Sequence, residues 1–508
     1  MLGLLALFAF SIALATVCVA SLYVITKHRR FSHLPGPPLS SFWFGHLPLI
    51  RDFTASGRPL SQLWCDLYVT YGPLYVIWML QSEAIHVCDA AEAKRLLQNA
   101  ESVIKHHRPY AAISFAYGNR FMGNGLLTQL DHRKWELRHK LLSPAFHKQN
   151  LINMLGSFND VVDGFIDHIR DMSVQGETVS MRDMFPRLTL DIIGKVAFGL
   201  DTNECRECSV TSENVRIRRT MADVLSSIGE YYRNPLTWYL PIYRDLWRRA
   251  SRGCDALRST GRRCIMQRKR DIVDRGEYGN DILGCILKAA ARDRDLVVDD
   301  LIDEFVTFFF AGHDTTGVSL TFALHELLVH DDIKQRVINE ADRIFNGKTR
   351  LSPSDLSSLT TLSCTIKETL RLHPPVVSLG RVPVSDTTMC GHYIPSRSYL
   401  SLRFDVIHNR PDYWSHPVEF NPDRFLTLST EGPLPYFPFS GGPHVCLGKQ
   451  LAEIEMKLVL SKLFHTFTIN LAEGQDVVES YEELLLTPKS PVDCTFKCRE
   501  KWPRSKQD

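Results

Sequence analysis

The 508-residue sequence has almost no net charge, because 59 lysines and arginines offset 57 aspartates and glutamates to leave +2 at pH 7. This balance argues against a nucleic-acid-binding protein that acts through a basic surface, and against an acidic disordered chain. The sequence also lacks repeats, low-complexity tracts, a G-x-G-x-x-G fingerprint and a P-loop, so a nucleotide-binding domain is not expected. Its 13 cysteines are too scattered for a small disulfide scaffold, which indicates mostly reduced side chains in a cytosol-facing protein.

One long stretch, Leu2 to Thr26, contains no charged residue. As a helix, about 25 residues would span roughly 37 Å, which exceeds a hydrocarbon core of about 30 Å. A cleaved signal peptide is the alternative, but basic residues are missing before the stretch, and its one small-x-small triplet lies mid-run. The basic run Lys27–Arg30 follows at once and places the rest of the chain in the cytosol. We predict a transmembrane signal anchor over residues 1–26 and a basic stop with a proline-rich hinge over residues 27–38.

Helical periodicity covers most of the remaining chain, and strand patterns are few and short. A strand hairpin is predicted over residues 74–88, where apolar and polar residues alternate. A long helix is predicted over about residues 299–330, and another ends at Leu372, because the prolines after His373 cannot continue it. A last helix follows Cys446, and a strand-like tail closes the chain. The expected fold is mainly α with a small β component, built as one large helix-rich domain over residues 39–508.

The segment from Phe439 to Gly448 is a glycine-rich loop that brings Cys446 to the start of a helix. A sulfur at a helix N-terminus faces aligned N–H groups and the positive end of the macrodipole, which favour the thiolate. The glycines leave room for the backbone to approach a flat cofactor. A lone cysteine in a glycine-rich turn is usually inert, and the fixed frame of phenylalanine, glycine and cysteine is what makes this signal strong.

This loop resembles F-x-x-G-x-R/H-x-C-x-G, the haem-thiolate signature of the cytochrome P450 superfamily, with His444 where arginine is more usual. Other motifs of the superfamily follow in the same order along the chain. They are Trp135 of its W-x-x-x-R motif, Ala311-Gly312-His313-Asp314-Thr315-Thr316 for its oxygen-activation motif, Glu368 and Arg371 for its E-x-x-R pair, and Arg424 as the third member of that network. The resemblance covers essentially the whole chain.

The resemblance implies haem b as the cofactor and a haem-thiolate catalytic domain over residues 39–508. Cys446 would be the axial ligand of the iron, and Asp314 and Thr315 would be the catalytic residues that supply protons. The remaining haem-binding residues would be Phe439, Gly448, Trp135, His139, Arg381 and His444. The roles of Glu368, Arg371 and Arg424 would be structural.

Two of the expected haem contacts, His139 and His444, stand where the superfamily usually has arginine or another fixed cation. Arg381 would then be the one permanently charged partner for the propionates, so haem retention is expected to weaken at high pH. The alternative is that Arg138 or Lys140 takes the place of His139.

The function implied is a monooxygenase that inserts one oxygen atom from O2 into a lipophilic substrate. The microsomal character of the anchor implies a single-pass protein of the endoplasmic reticulum membrane with a monomeric, cytosolic catalytic unit and no nucleic-acid partner. Electrons would come from NADPH through NADPH–cytochrome P450 reductase, since the chain has no flavin or nicotinamide site. Five basic residues either meet this acidic partner or form a solvated surface: Arg133, Lys134, Arg138, Lys140 and Lys449.

Other functions within reach of the same motifs are a haem-thiolate isomerase or dehydratase of lipid peroxides, a broad xenobiotic monooxygenase, and a haem carrier. The intact Asp314-Thr315 pair argues against the isomerase, which needs no proton relay. Three stretches, 305–313, 179–184 and 436–439, resemble the sterol side-chain hydroxylases, especially cholesterol 24-hydroxylase. We therefore expect a sterol among the possible substrates, although such stretches indicate kinship more than specificity.

Overall fold

The computed structural model describes residues 2–206, 215–291, 297–427, 434–475, 480–482 and 484–499. The chain divides into two compact units, one of Met1–His106 with Ser378–Ser415 and one of His107–Val377 with His416–Asp508. We call them the strand unit and the helical unit. The chain leaves the strand unit at His106 and returns to it at Ser378, and the single catalytic domain over residues 39–508 stays a prediction.

Helices make up most of the described chain, as predicted. In chain order they are α1 (Leu2–Arg30), α2 (Leu47–Ala55), α3 (Leu60–Tyr71), α4 (Ala90–Gln98), α5 (His107–Ser114), α6 (His132–Leu142), α7 (Lys148–Asn153), α8 (Leu155–Gln175), α9 (Met181–Phe198), α10 (Val215–Arg233), α11 (Arg244–Arg275), α12 (Ile282–Ala290), α13 (Val298–Val329), α14 (Asp331–Phe345), α15 (Pro353–Ser358), α16 (Thr360–Leu372), α17 (Phe404–Ile407), α18 (Arg424–Thr427) and α19 (Lys449–Thr466).

The strands are short and form a small β component, as predicted. In chain order they are β1 (Leu74–Met79), β2 (Ser82–Val87), β3 (Val103–Lys105), β4 (Phe115–Ala116), β5 (Asn119–Arg120), β6 (Val179–Ser180), β7 (Ser378–Pro383), β8 (Thr387–Met389), β9 (His392–Ile394), β10 (Leu400–Arg403), β11 (Phe467–Leu471), β12 (Ser480–Glu482), β13 (Leu486–Pro488) and β14 (Asp493–Cys498).

The strand unit contains a five-stranded sheet with the order β1-β2-β10-β7-β3. Strands β1 and β2 form the predicted hairpin, with Leu74 opposite Val87, and β10 runs parallel to β2. By length and composition, Leu7–Arg30 is one helix that could cross a membrane. Helix α1 continues to Arg30 through the predicted basic stop, so only the later part of residues 27–38 forms the extended proline segment.

The core of the helical unit is built around the long helix α13, which packs against α9, α11, α16 and α19. Glycine weakens the hydrogen-bond ladder of a helix, so Gly312 in the middle of this helix predicts from sequence a local opening there, but α13 is continuous from Val298 to Val329. A Cβ at Gly312 would lie 2.9 Å from the side chain of Ile193, and one at Gly317 would lie 3.0 Å from the backbone of Pro186. These glycines therefore let α9 approach α13 closely and do not break the helix.

Candidate active site

Cys446 lies three residues before α19, at the end of the predicted loop. The loop is held in a left-handed conformation at Ser440 (φ 62°) and Gly442 (φ 64°), and the Cys446 N–H donates to the Phe439 carbonyl at 2.9 Å. The Cys446 side chain is solvent-accessible although protein surrounds it, so it faces internal space. The loop thus presents one sulfur to the interior of the helical unit.

The charge state of Cys446 differs from the sequence prediction. Burial raises the pKa of its thiol, and the N–H groups of Gly448 and Lys449 together with the Lys449 charge lower it by less. The predicted donors are present, but desolvation outweighs them, so the protein alone favours the thiol. A metal cation bound at the sulfur would reverse this balance, since a coordinating thiol loses its proton.

The backbone conformation of Gly448 does not require a glycine. It has no positive φ, and a Cβ there would lie 3.9 Å from the Cys446 sulfur, which is normal contact. What Gly448 provides is its N–H group, which donates to the sulfur.

The middle of α13 is solvent-accessible, whereas the helical segments on either side of it are buried. Leu301 to Phe309 and Thr316 to Ala323 are buried, whereas Ala311 is exposed and its neighbours Asp314 and Thr315 are partly exposed. Because α13 also packs against α19, an accessible stretch in its centre indicates internal space within the helical unit. Residues that open inwards on α13 and at Cys446 fit a large apolar cofactor between them.

Trp135, His139 and His444, three of the expected haem contacts, come together in the structure. The Trp135 ring centroid lies 3.8 Å from that of His444 and 4.8 Å from that of His139, on which it stacks. The α6 start is fixed by Asp131, whose side chain accepts the Lys134 N–H. Burial lowers the pKa of His139, so this residue is neutral at neutral pH and supplies no cation there.

His132 belongs to the same aromatic group, and the sequence reasoning missed it. Its ring lies 5.7 Å from Trp135 and 5.9 Å from His444, and its Nδ1 is buried without a hydrogen-bond partner in the described chain. The signal was available, because residues three apart on a helix share a face and His132 is three before Trp135.

The two alternatives to His139 are not favoured by the structure. Arg138 forms salt bridges with two carboxylates of α13. Its Nη2 lies 2.5 Å from Asp300, and its Nη1 lies 3.3 Å from Glu304. Lys140 is exposed and pairs with Glu136 at 3.0 Å. Neither side chain therefore stands in for a propionate cation at this place.

Arg381 lies on β7 of the strand unit and is only 3% exposed. Its Nη1 donates to its neighbour Gly380's carbonyl at 3.0 Å, and it has no carboxylate partner among the described residues. A buried guanidinium without a carboxylate fits an acidic group of a ligand. Its role as a haem contact remains a prediction.

Glu368, Arg371 and Arg424 form one buried network. The Arg371 guanidinium donates to both Glu368 oxygens at 2.8 Å, and Arg424 Nε donates to Glu368 Oε1 at 2.9 Å. Backbone groups of the segment 417–421 also join this network, since the Asn421 N–H donates to Glu368 and Arg371 donates to the Pro417 carbonyl. The network thus fastens the segment before α18 to α16.

Asp314 and Thr315 are adjacent in the accessible middle of α13, but their hydrogen bonds go elsewhere. The Thr315 hydroxyl donates to the Ala311 carbonyl at 2.8 Å, as an ordinary helical threonine does. The Asp314 carboxylate lies 3.1 Å from Nε2 of the buried His313. Burial raises the pKa of Asp314, but the charge and hydrogen bond of His313 lower it by more.

Comparison with known proteins identifies the class. The profile of the family described as Cytochrome P450 matches residues 35–496, and the chain belongs to this family of haem monooxygenases. The crystal structure of the cytochrome P450DA heme domain superposes with a TM-score of 0.80 at 22% identity and covers 92% of this chain and 98% of that one, which shows the same fold.

Among relatives, the chain is similar to Probable cytochrome P450 4ac1 of Drosophila melanogaster, with 29% identity over 83% of this chain and 79% of the relative. It is also similar to leukotriene-B4 omega-hydroxylase 3 of Mus musculus, with 26% identity over 86% and 85%. Cytochrome P450 3A11 of Mus musculus is 24% identical over 92% of each chain. These relatives do not support the predicted likeness to cholesterol 24-hydroxylase.

Proposed function

We propose that this monooxygenase binds haem b through Cys446 and hydroxylates a lipophilic substrate drawn from the membrane of the endoplasmic reticulum. The observation that carries the proposal is the inward-facing Cys446 on a loop whose N–H groups point at its sulfur, in the same unit as α13, whose middle is accessible at Ala311, Asp314 and Thr315. When bound, haem supplies the activation of O2.

Residues of the helical unit would bind the cofactor, transfer protons and support the fold around the site. Trp135, His132, His139 and His444 would hold the acidic edge of the cofactor by ring nitrogens, because none of them carries a fixed charge. Asp314, which is ionised beside His313, would accept a proton and pass it on, and the Thr315 hydroxyl next to it would orient the group that receives the proton. The Glu368 network keeps α16 and the following segment in place without touching the reaction.

Electrons would arrive from NADPH through NADPH–cytochrome P450 reductase. Of the five basic residues considered for this contact, Arg138 is occupied by Asp300 and Glu304, and Lys140 pairs with Glu136. Arg133, Lys134 and Lys449 are exposed and would meet an acidic partner.

The charge of the pocket favours a neutral lipophile over a carboxylic acid. Arg120 is the only charged residue in 110–127, a segment that we expect to line the pocket. Its Nη2 and Nε donate to both oxygens of Asp303, at 2.7 and 3.1 Å. Asp303 also accepts from Arg258 Nη1 at 2.7 Å, and it holds both of these Arg120 nitrogens, so Arg120 is less available to pair with a substrate carboxylate. A sterol remains one neutral candidate.

Oxidation of NADPH by the reductase and this protein together tests the class of reaction. We expect oxidation to depend on substrate and to yield a hydroxylated product, whereas an isomerase or a haem carrier would form none. Cholesterol, oxysterols, long-chain fatty acids and small aromatic compounds should then be titrated while the spin state of the iron is followed. A shift with fatty acids but with no neutral lipid would contradict the charge argument, and a shift with small aromatics alone would leave a xenobiotic monooxygenase.

A further inference from the structure

His313 lies beside Asp314 on α13, at the variable position of the oxygen-activation motif. Its ring is 3% exposed. One ring nitrogen, Nδ1, lies 2.7 Å from the Phe309 carbonyl oxygen, and the other, Nε2, lies 3.1 Å from Oδ1 of Asp314. Both nitrogens are therefore within hydrogen-bonding distance of an oxygen.

These two contacts determine how many protons the pair holds. A carbonyl oxygen only accepts, so Nδ1 must carry a hydrogen. If His313 were neutral, Nε2 would then face an ionised carboxylate with a lone pair against a lone pair, in a buried place where such a contact is costly. One further proton must lie between Nε2 and Oδ1. The charge of Asp314 raises the pKa of His313 despite its burial, which places that proton on the imidazole.

The surroundings leave this pair isolated from other acids. Arg218 of α10 acts on Asp314 as a second cation, and Arg218 itself lies 3.8 Å from the Glu204 carboxylate. From α9, the Thr189 hydroxyl donates to the His313 carbonyl at 2.8 Å. The α9 carboxylate Asp191 is occupied by the Thr202 hydroxyl and by the N–H groups of Glu204 and Cys205.

Thr315 cannot be the source of a proton as it stands, because its hydroxyl hydrogen points at the Ala311 carbonyl. We propose that His313 is a positioning residue that stores one exchangeable proton for Asp314. The ionised Asp314 takes this proton from His313 Nε2 onto Oδ1 and passes it on towards Thr315, and a proton from solvent then restores the imidazolium. This inference rests on the proposed role of Asp314 and Thr315.

The direct test is the protonation state of His313 in the intact, membrane-reconstituted protein. Histidine labelled with ¹⁵N is observed by solid-state NMR in the diamagnetic, carbon-monoxide-bound form, and the His313 signals are assigned by their loss in His313→Gln. We expect both ring nitrogens to be protonated at pH 7.5, and Asp314→Asn to return the ring to one protonated nitrogen. A neutral His313 ring in the unaltered protein at this pH would overturn the proposal.

The functional test compares His313→Gln with His325→Gln. His325 is a matched control, because it is also buried on α13 and its Nε2 faces a backbone carbonyl, that of Gln475, at 2.8 Å. Glutamine at 313 still hydrogen-bonds Asp314 but stores no proton. We expect product per NADPH to fall about tenfold, with loss of its pH dependence, in His313→Gln alone. Equal coupling in both variants would refute the inference.

The outcomes also separate this inference from the proposed function. If Thr315→Ala retains full coupling, the relay itself is wrong, and the NMR result on His313 still decides whether the proton is stored. If the unaltered protein, His313→Gln and His325→Gln all contain haem but form no product, the proposed monooxygenase function itself is wrong.

Discussion

Replacing Glu368 with glutamine is expected to destabilise the helical unit strongly, because two buried cations depend on this one carboxylate. Glu368 and Arg371 are fully buried, and Arg424 is 7% exposed. Glutamine keeps the shape of the side chain but removes its charge and turns an NH₂ group towards guanidinium donors. Breaking one partner of a buried ion pair costs about 3–5 kcal/mol, which is roughly two to three and a half orders of magnitude in the unfolding equilibrium.

The chain contains its own control for this change. Glu92 and Arg95 have the same residue types at the same spacing and lie 2.7 Å apart, but their side chains are 20% and 43% exposed. An exposed pair of this kind contributes about 0–1 kcal/mol, so Glu92→Gln should change stability little. Arg424→Met removes one cation but leaves the Arg371 pair, and we expect a loss between the two.

Urea unfolding of the full-length protein in nanodiscs, followed by circular dichroism, measures all three variants under one condition. The expected order of transition midpoints is Glu92→Gln highest, then Arg424→Met, then Glu368→Gln. If Glu368→Gln and Glu92→Gln unfolded at the same urea concentration, the buried network would not stabilise the fold and the reasoning would be wrong.

Three further predictions concern protons and the cofactor. Thr315→Ala should lower product per NADPH far more than haem content, as measured by product and peroxide yields, and unchanged coupling would leave Thr315 a core residue. Burial raises the pKa of Glu304 to about 7, so its neutral carboxyl stabilises the fold at low pH. That contribution to stability is lost as the pH rises from about 4.5 to 7. Glu304→Gln should therefore flatten the pH dependence of unfolding over this range. His139→Arg should slow haem transfer to apomyoglobin at pH 7.5, since burial keeps His139 neutral there, and an unchanged rate would remove it from the haem contacts.

Local spacing predicted the elements of the site but not their environments. The E-x-x-R spacing occurs several times in the chain, for example at Glu92 as well as at Glu368, and nothing within four residues tells the buried pair from the exposed one. The resemblance, which added Arg424 as a distant third member, was needed to choose between them. Burial is a property of tertiary packing, and short-range patterns do not contain it.

The same limit explains the errors at Cys446 and Gly312. Sequence reasoning correctly placed the N–H donors around Cys446, but the desolvation that raises its pKa comes from the whole unit. Glycine in a helix was interpreted as a weak point, whereas the neighbouring side chain of Ile193 makes it a point of close packing. Likewise the pairing of Arg138 with Asp300 joins residues 162 apart, which no local pattern shows.

The spectrum of the dithionite-reduced protein with carbon monoxide tests the central claim most directly. A haem iron bound by the Cys446 sulfur should give the red-shifted Soret band of a thiolate complex, and Cys446→Ser should abolish that band. Cys498→Ser, at an exposed cysteine on β14, is the control and should leave it unchanged. A Cys446→Ser protein that binds haem and retains the shifted band would contradict the account, because another residue would then be the ligand.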